Sequence, residues 1–251
     1  MLEQRTYDAW GTTLKFVVDD QFGFPEGLGD TFTKVTAFVD HVNQIFSTYI
    51  DNSQVSLLHH NKIQLDQSHQ DLQTIWRDCL KAREITDGAF DPWALDNGFD
   101  PSGIVKGWAA QEIATIFSDA GFKHIQIDAS GDLYLKDGES SELPWAIGVK
   151  NPDANEQVLR IFNIWDGAIA TSGNYERGEH IRDPFNSLPA IGARSATVIG
   201  PSGGLCDALA TALNVSGRNG SSWFLKPELQ EYSCWVIDRY SEKAWGYGPA
   251  I

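Results

Sequence analysis

Two hydrophobic periodicities occur in separate blocks of this chain, and that separation narrows the fold more than any other feature. Thr12 to Val18 reads as a strand, after which helical spacing takes over. Phe32, Val35, Phe38, Val39, Val42 and Phe46 form one stripe of a helix over 30–46, and Ser68 is a plausible cap for a second helix over 70–84. The run IVKGWAAQEIATIFSDAG reads as a third helix, stopped by Gly121. Alternation then predominates. HIQIDASGDLYLKDG is a hairpin signal, strands are expected over 145–149, 158–164 and 196–199, and residues 232–247 close the chain as a second hairpin. A glycine-rich turn, GPSGG, leads from the 196–199 strand into the helix LCDALATALNVSG. Strict strand-helix alternation, which a parallel sheet would need, is missing. The pattern predicts an α+β fold with a mixed or antiparallel sheet flanked by helices, and the lack of a linker predicts one domain spanning 1–251.

Composition excludes whole classes of function. Nineteen Lys and Arg stand against 34 Asp and Glu, a net charge of −15, which argues against coating nucleic acid, since such binding needs basic side chains to neutralise phosphates. No run of 18 apolar residues exists, and the N-terminal MLEQRTYDAWGTTLKF lacks the charged-then-apolar layout of a leader. The expectation is a cytoplasmic protein without membrane insertion. Cys79, Cys206 and Cys234 form no CxxC pair, which fits a reducing compartment.

Several familiar signatures fail. Neither GxxxxGK[ST] nor GxGxxG is present, so phosphate chemistry would need another scaffold. Gly200, Ser202 and Gly204 spell GxSxG between a strand and a helix, the setting of a hydrolase nucleophile, but all six histidines precede Ser202 and that fold needs one after it. His59, His60 and His69 match no zinc spacing and read as a solvated loop.

Other segments carry chemistry more plausibly. Asp207 and Thr211 stand four positions apart on a helix, so a carboxylate and a hydroxyl share one face and could ligate a hard cation. The plain alternative is that Asp207 only charges the first helical turn. DGAFDP is a stiff turn beside an aromatic ring, and turn chemistry alone also explains it. Gly103 and Gly107 flank Lys106 at a helix start, where amides and one ammonium could receive a phosphate; a solvated lysine is the other reading. His180, followed by Arg182, pairs a base suited to neutral pH with a cation for a phosphoryl group.

Taken in order, WGTTLKF, STYIDNSQVSLL, TDGAFDP, FDPSGIVKGWA, IDASGDLYL, AIATSGNYE, HIRDP and SATVIGPSGGLCDALATAL resemble the ApbE family of magnesium-dependent FAD:protein FMN transferases. Each piece is weak and their collinearity is specific. The resemblance implies that FAD is the substrate and that its contacts include Trp10, Tyr49, Ala89, Phe90, Asp91, Asp100, Lys106 and Arg182. It further implies Mg2+ held by the Gly103 carbonyl, Asp207 and Thr211, with His180 as catalytic base. The implied partner is an acceptor protein whose threonine receives FMN as AMP departs. An FAD pyrophosphatase and a non-catalytic flavin-binding module are the alternatives.

The chain also departs from the family pattern. Trp10 stands where relatives usually carry methionine, residue 210 is alanine where some carry an acid, and the connection from Pro92 to Asp100 is short. The short connection bears on the FAD contacts more than on the metal ligands. The absence of a lipobox cysteine, common in relatives, favours the cytoplasmic expectation.

Overall fold

The computed structural model describes residues 2–19, 23–94, 98–136, 143–173, 181–240 and 243–251. Its frame is an eight-stranded sheet in the order β1-β2-β3-β4-β7-β8-β9-β10, antiparallel throughout. These strands are β1 (Leu2–Ala9), β2 (Thr12–Asp19), β3 (His124–Ala129), β4 (Asp132–Lys136), β7 (Gly167–Ser172), β8 (Ala193–Gly200), β9 (Ser233–Asp238) and β10 (Ala244–Tyr247). A separate hairpin of β5 (Trp145–Asn151) and β6 (Ala154–Ile164) lies between β4 and β7 in the sequence. The expected α+β architecture is therefore the one observed.

Alternation along the strands decides what each face carries. Leu14, Phe16 and Val18 on β2, Ile125, Ile127 and Ala129 on β3, Tyr134 on β4, Ala168 and Ala170 on β7, Ala196 and Val198 on β8, and Cys234 and Val236 on β9 all belong to one buried cluster. That cluster also holds the inward stripes of helices α1 (Leu28–Phe46), α3 (Gln70–Ile85), α4 (Ser102–Asp119) and α5 (Gly203–Ser216). The intervening residues Leu135, Ile169, Ile199, Trp235 and Ile237 point the other way, onto Val149, Phe162 and Ile164 of the β5–β6 hairpin. Strands covered on both faces lose the polar half of their alternation. The result is helices, sheet and hairpin in three layers.

The helices match expectation with small differences. α3 begins at Gln70 as read, but His69 rather than Ser68 is its N-cap, its Nδ1 accepting from the Asp71 amide at 3.2 Å. Ser68 turns its hydroxyl to the Leu65 carbonyl at 2.6 Å instead, closing a short 3-10 turn. A six-residue helix, α2 (Gln54–His59), and a 3-10 stretch at Gly217–Leu225 were not legible from spacing.

Both tight turns at one end of the sheet hold non-glycine residues in left-handed conformations. Trp10 (φ 55°) with Gly11 (φ 70°) joins β1 to β2, and Ser130 (φ 63°) with Gly131 (φ 95°) joins β3 to β4. Two central residues with positive φ suit the right-handed twist of the flanking strands. A tryptophan in that conformation is costly enough to suggest that its position matters.

Candidate active site

α4 and α5 cross where neither has a side chain. A Cβ on Gly107 would lie 2.1 Å from the Gly203 carbonyl oxygen, and one on Gly203 the same distance from the Gly107 carbonyl. Only glycine fits such a backbone contact. The close crossing brings the first turns of α4 against the inner face of α5. Gly203 is further tied down by its amide, which donates to Gln111 Oε1 at 2.9 Å.

Beside that crossing opens a cleft of about 560 Å³. Its wall includes Trp10, Tyr49, Ala89, Phe90, Asp91, Asp100, Gly103, Lys106, Arg182, Asp207 and Thr211. These are the expected flavin and metal residues, drawn from separate segments of the chain into one cavity. His180, the expected base, lies outside the described residues.

At the floor, the Lys106 ammonium donates to Asp132 Oδ2 and, at 3.5 Å, to Asp207 Oδ2. Both carboxylates are almost fully buried, with side chains 3% and 2% exposed. Two charges taken out of water in this way need close partners, which Lys106 supplies. One turn further along α5, Thr211 Oγ1 lies 3.3 Å from Ser172 Oγ at the end of β7. Asn214 fixes that strand end by donating to the Ser172 carbonyl at 2.8 Å.

Gly103 faces the same spot from α4: a Cβ there would come 3.0 Å from the Phe90 ring and 3.5 Å from Thr211 Oγ1. The Asp207 carboxylate and the Thr211 hydroxyl, four positions apart on α5, are oxygen donors, the chemistry that a hard divalent cation such as magnesium takes. Asp207 and Thr211 fit a metal, and the glycine leaves the room.

The upper wall is shaped by the turn after α3. Asp87 (φ 52°) and Gly88 (φ 86°) end the helix in left-handed geometry, with the Gly88 amide donating to the Arg83 carbonyl at 2.9 Å. Asp87 faces away from the cleft, accepting from Trp223 Nε1 at 2.9 Å and from Lys226 Nζ at 3.2 Å. Phe90 and Ala89 are buried. Asp91 is held by Arg83 Nε at 2.9 Å and accepts from the Trp93 amide at 2.9 Å. Asp100 accepts from the Ser102 amide at 3.0 Å and from its hydroxyl, capping the start of α4.

The short Pro92–Asp100 connection is closed by the Asp100 amide donating to the Pro92 carbonyl at 2.8 Å. Trp76, Trp93 and Phe99 pack ring on ring beneath it, with centroids 4.6–5.2 Å apart. Tyr49, almost fully exposed, and Arg182, also exposed, stand at the mouth. Trp10 donates its indole N–H to the Val39 carbonyl at 3.3 Å.

Asp132, Ser130 and Ser172 line the cleft but were not singled out from sequence. Asp132 did carry a signal. It shares the phase of Tyr134, so it opens β4 on the face buried under the helices, where a carboxylate is out of place. The hairpin reading of HIQIDASGDLYLKDG accounts for it without a site. Ser202 of the GxSxG match is the α5 N-cap, its hydroxyl accepting from the Leu205 amide at 3.4 Å. Its role is structural.

The fold is shared with solved proteins of low sequence identity. The flavin transferase ApbE from Vibrio cholerae superposes with a TM-score of 0.82 at 21% identity, covering 98% of this chain and 97% of that one. The ApbE protein from Thermotoga maritima gives 0.80 at 22% identity, with 94% of each chain covered. The sequence carries the argument further, because the ApbE family profile matches residues 10–96 and 95–236. The chain belongs to the ApbE family. The two matched stretches meet in the short connection described above.

Among individual relatives, a FAD:protein FMN transferase of Rhodobacter capsulatus is 32% identical over a 128-position alignment that covers 47% of this chain and 24% of the relative. One of Escherichia coli K12 is 29% identical over a 128-position alignment that covers 47% of this chain and 36% of the relative. The match thus spans well under half of those relatives' length. Among the described residues, no helix is long and apolar enough to cross a membrane.

Proposed function

We propose that residues 1–251 form one magnesium-dependent FAD:protein FMN transferase domain, which cleaves the FAD pyrophosphate and esterifies FMN to a threonine of an acceptor protein. The observation that carries this reading is the convergence of the described motif residues on one cleft, with Lys106, Asp132 and Asp207 at its floor. The named activity of the Rhodobacter and Escherichia relatives supports it.

In this reading Trp10, Tyr49 and Phe90 bound the flavin ring, and Arg182 meets a phosphoryl oxygen as a charge-assisted donor. Asp207, Thr211 and the Gly103 carbonyl would hold magnesium, which when bound stabilises charge on pyrophosphate oxygens and on the departing AMP. Lys106 fixes the Asp207 carboxylate and keeps Asp132 neutralised beside it. His180 accepts the proton of the threonine hydroxyl as that oxygen bonds to the FMN phosphorus. The bond from that phosphorus to the AMP phosphate oxygen breaks, and AMP leaves with the electron pair. We place this activity in a reducing compartment, on the strength of three buried free thiols.

Intact-mass analysis tests the proposal. A threonine-bearing acceptor incubated with the protein, FAD and magnesium should gain one FMN, and EDTA should prevent it. Free FMN and AMP without an adduct on any acceptor would make the protein a pyrophosphatase. Tight FAD binding with no cleavage would make it a flavin carrier.

A further inference from the structure

A second group of metal-ligating side chains lies outside the cleft. His41 on α1, His69 at the α3 N-cap and Asp71 in the first turn of α3 each present one donor atom within 4.8 Å of the other two. His41 Nε2 is 2.9 Å from Asp71 Oδ2, and His69 Nδ1 is 3.4 Å from the same oxygen. The two imidazoles meet edge to face with centroids 4.6 Å apart. None of the three lines the cleft.

From these contacts we propose that His41, His69 and Asp71 form a binding site for a borderline divalent transition metal, zinc in the first instance, bridging α1 to the start of α3. Zinc takes imidazole nitrogen and carboxylate oxygen at about 2.0–2.2 Å in tetrahedral array, so its ligand atoms stand about 3.4 Å apart. The His69–Asp71 separation of 3.4 Å matches that spacing, and the His41–Asp71 contact at 2.9 Å must open by about 0.5 Å to reach it. Closing the third needs side-chain rotation, which the partial exposure of all three side chains, at 34%, 44% and 28%, allows, and His69 Nδ1 would exchange its helix-cap bond from the Asp71 amide for the metal. That exposure also leaves a path for the ion and a fourth position for water.

Two imidazoles and a carboxylate suit zinc, nickel or copper, whereas magnesium prefers an all-oxygen set. The two sites would therefore select different metals. His59 and His60, with ring centroids 4.8 Å apart, are a separate pair.

Cobalt(II) is the direct probe, since a four-coordinate site gives intense visible bands that six-coordinate cobalt lacks. Untagged, metal-free protein in excess magnesium should take up one equivalent of cobalt with those bands, and zinc should bleach them. His41→Gln should weaken binding at least tenfold. His69→Asn should do the same while still offering a helix-cap oxygen that keeps α3 folded. A double variant, His59→Ala with His60→Ala, and separately Asp207→Ala, should bind as the parent does. Absence of the bands, their survival in both His41→Gln and His69→Asn, or their loss in Asp207→Ala would overturn the site.

Discussion

Lys106 reaches Asp207 at 3.5 Å across 101 positions of sequence while also donating to Asp132, so one ammonium joins α4, α5 and β4. Removing one member of a buried ion pair leaves its partner without compensation. Lys106→Met should lower stability by about 1–3 kcal/mol, at the lower end because Lys106 is partly exposed, and Asp132→Asn by less, because Lys106 keeps Asp207. The double variant should cost less than the sum of the two. Urea unfolding of the four proteins in the cycle measures this, and strict additivity would refute the coupling.

Gly107→Ala should be destabilising although alanine is the better helix former. Its methyl would meet the Gly203 carbonyl at 2.1 Å, forcing α4 from α5. Overpacking of this kind costs about 1–3 kcal/mol, a drop in melting temperature of roughly 2–4 °C per kcal/mol in a chain of this size. A melting temperature equal to the parent's would contradict the contact.

Asp207→Ala should lower magnesium-dependent turnover more than about a hundredfold with FAD in excess. The fold should persist, since the change removes a buried charge along with its binding role. Unaltered turnover would remove Asp207 from the metal site.

His180→Ala should retain FAD binding and lose transfer, by about 10²–10⁴-fold if its task is proton abstraction. Single-turnover rates with saturating FAD separate the two effects. Equal rates for variant and parent would end the assignment.

All three thiols should resist alkylation until the protein unfolds. Burial raises each, Cys234 to about 12 from an ordinary 9.0. Because the folded values lie above the unfolded one, their stabilising contribution is complete below pH 9.0 and is lost as pH rises from there, for Cys234 through about 12. A thiol reagent at neutral pH should report no reactive cysteine natively and three in denaturant. Rapid native labelling would show that these residues are not sealed.

Legibility followed how much of each segment's patterning survives its surroundings. α1 and α3 declared themselves because each buries one face, whereas α4 and α5 did so as long apolar runs ended by glycine. β1 did not: LEQRTYDA forms a sheet edge with few buried positions, so little alternation is required of it. β7 did not either, since GAIATS is made mostly of small residues and is buried on both faces. The site was legible as collinear motifs, and their meeting in space was not, because it depends on the Gly107–Gly203 crossing. Asp132 was missed where a hairpin explanation sufficed locally. The His41–His69–Asp71 group was missed because His41 and His69 sit on different helices, whereas proximity in sequence drew attention to His59 and His60.

The long connection in sequence between β4 and β7 divides the sheet into two zippers that meet along one seam. Pairing across it waits until the chain has travelled from Lys136 to Gly167, a loop whose entropic cost falls when the β5–β6 hairpin closes first. Ser130 and Asp132 stand on one side of that seam, Thr171 and Ser172 on the other. The cleft therefore exists only once both halves have joined, and a chain stalled with either zipper alone would hold its motifs without their pocket.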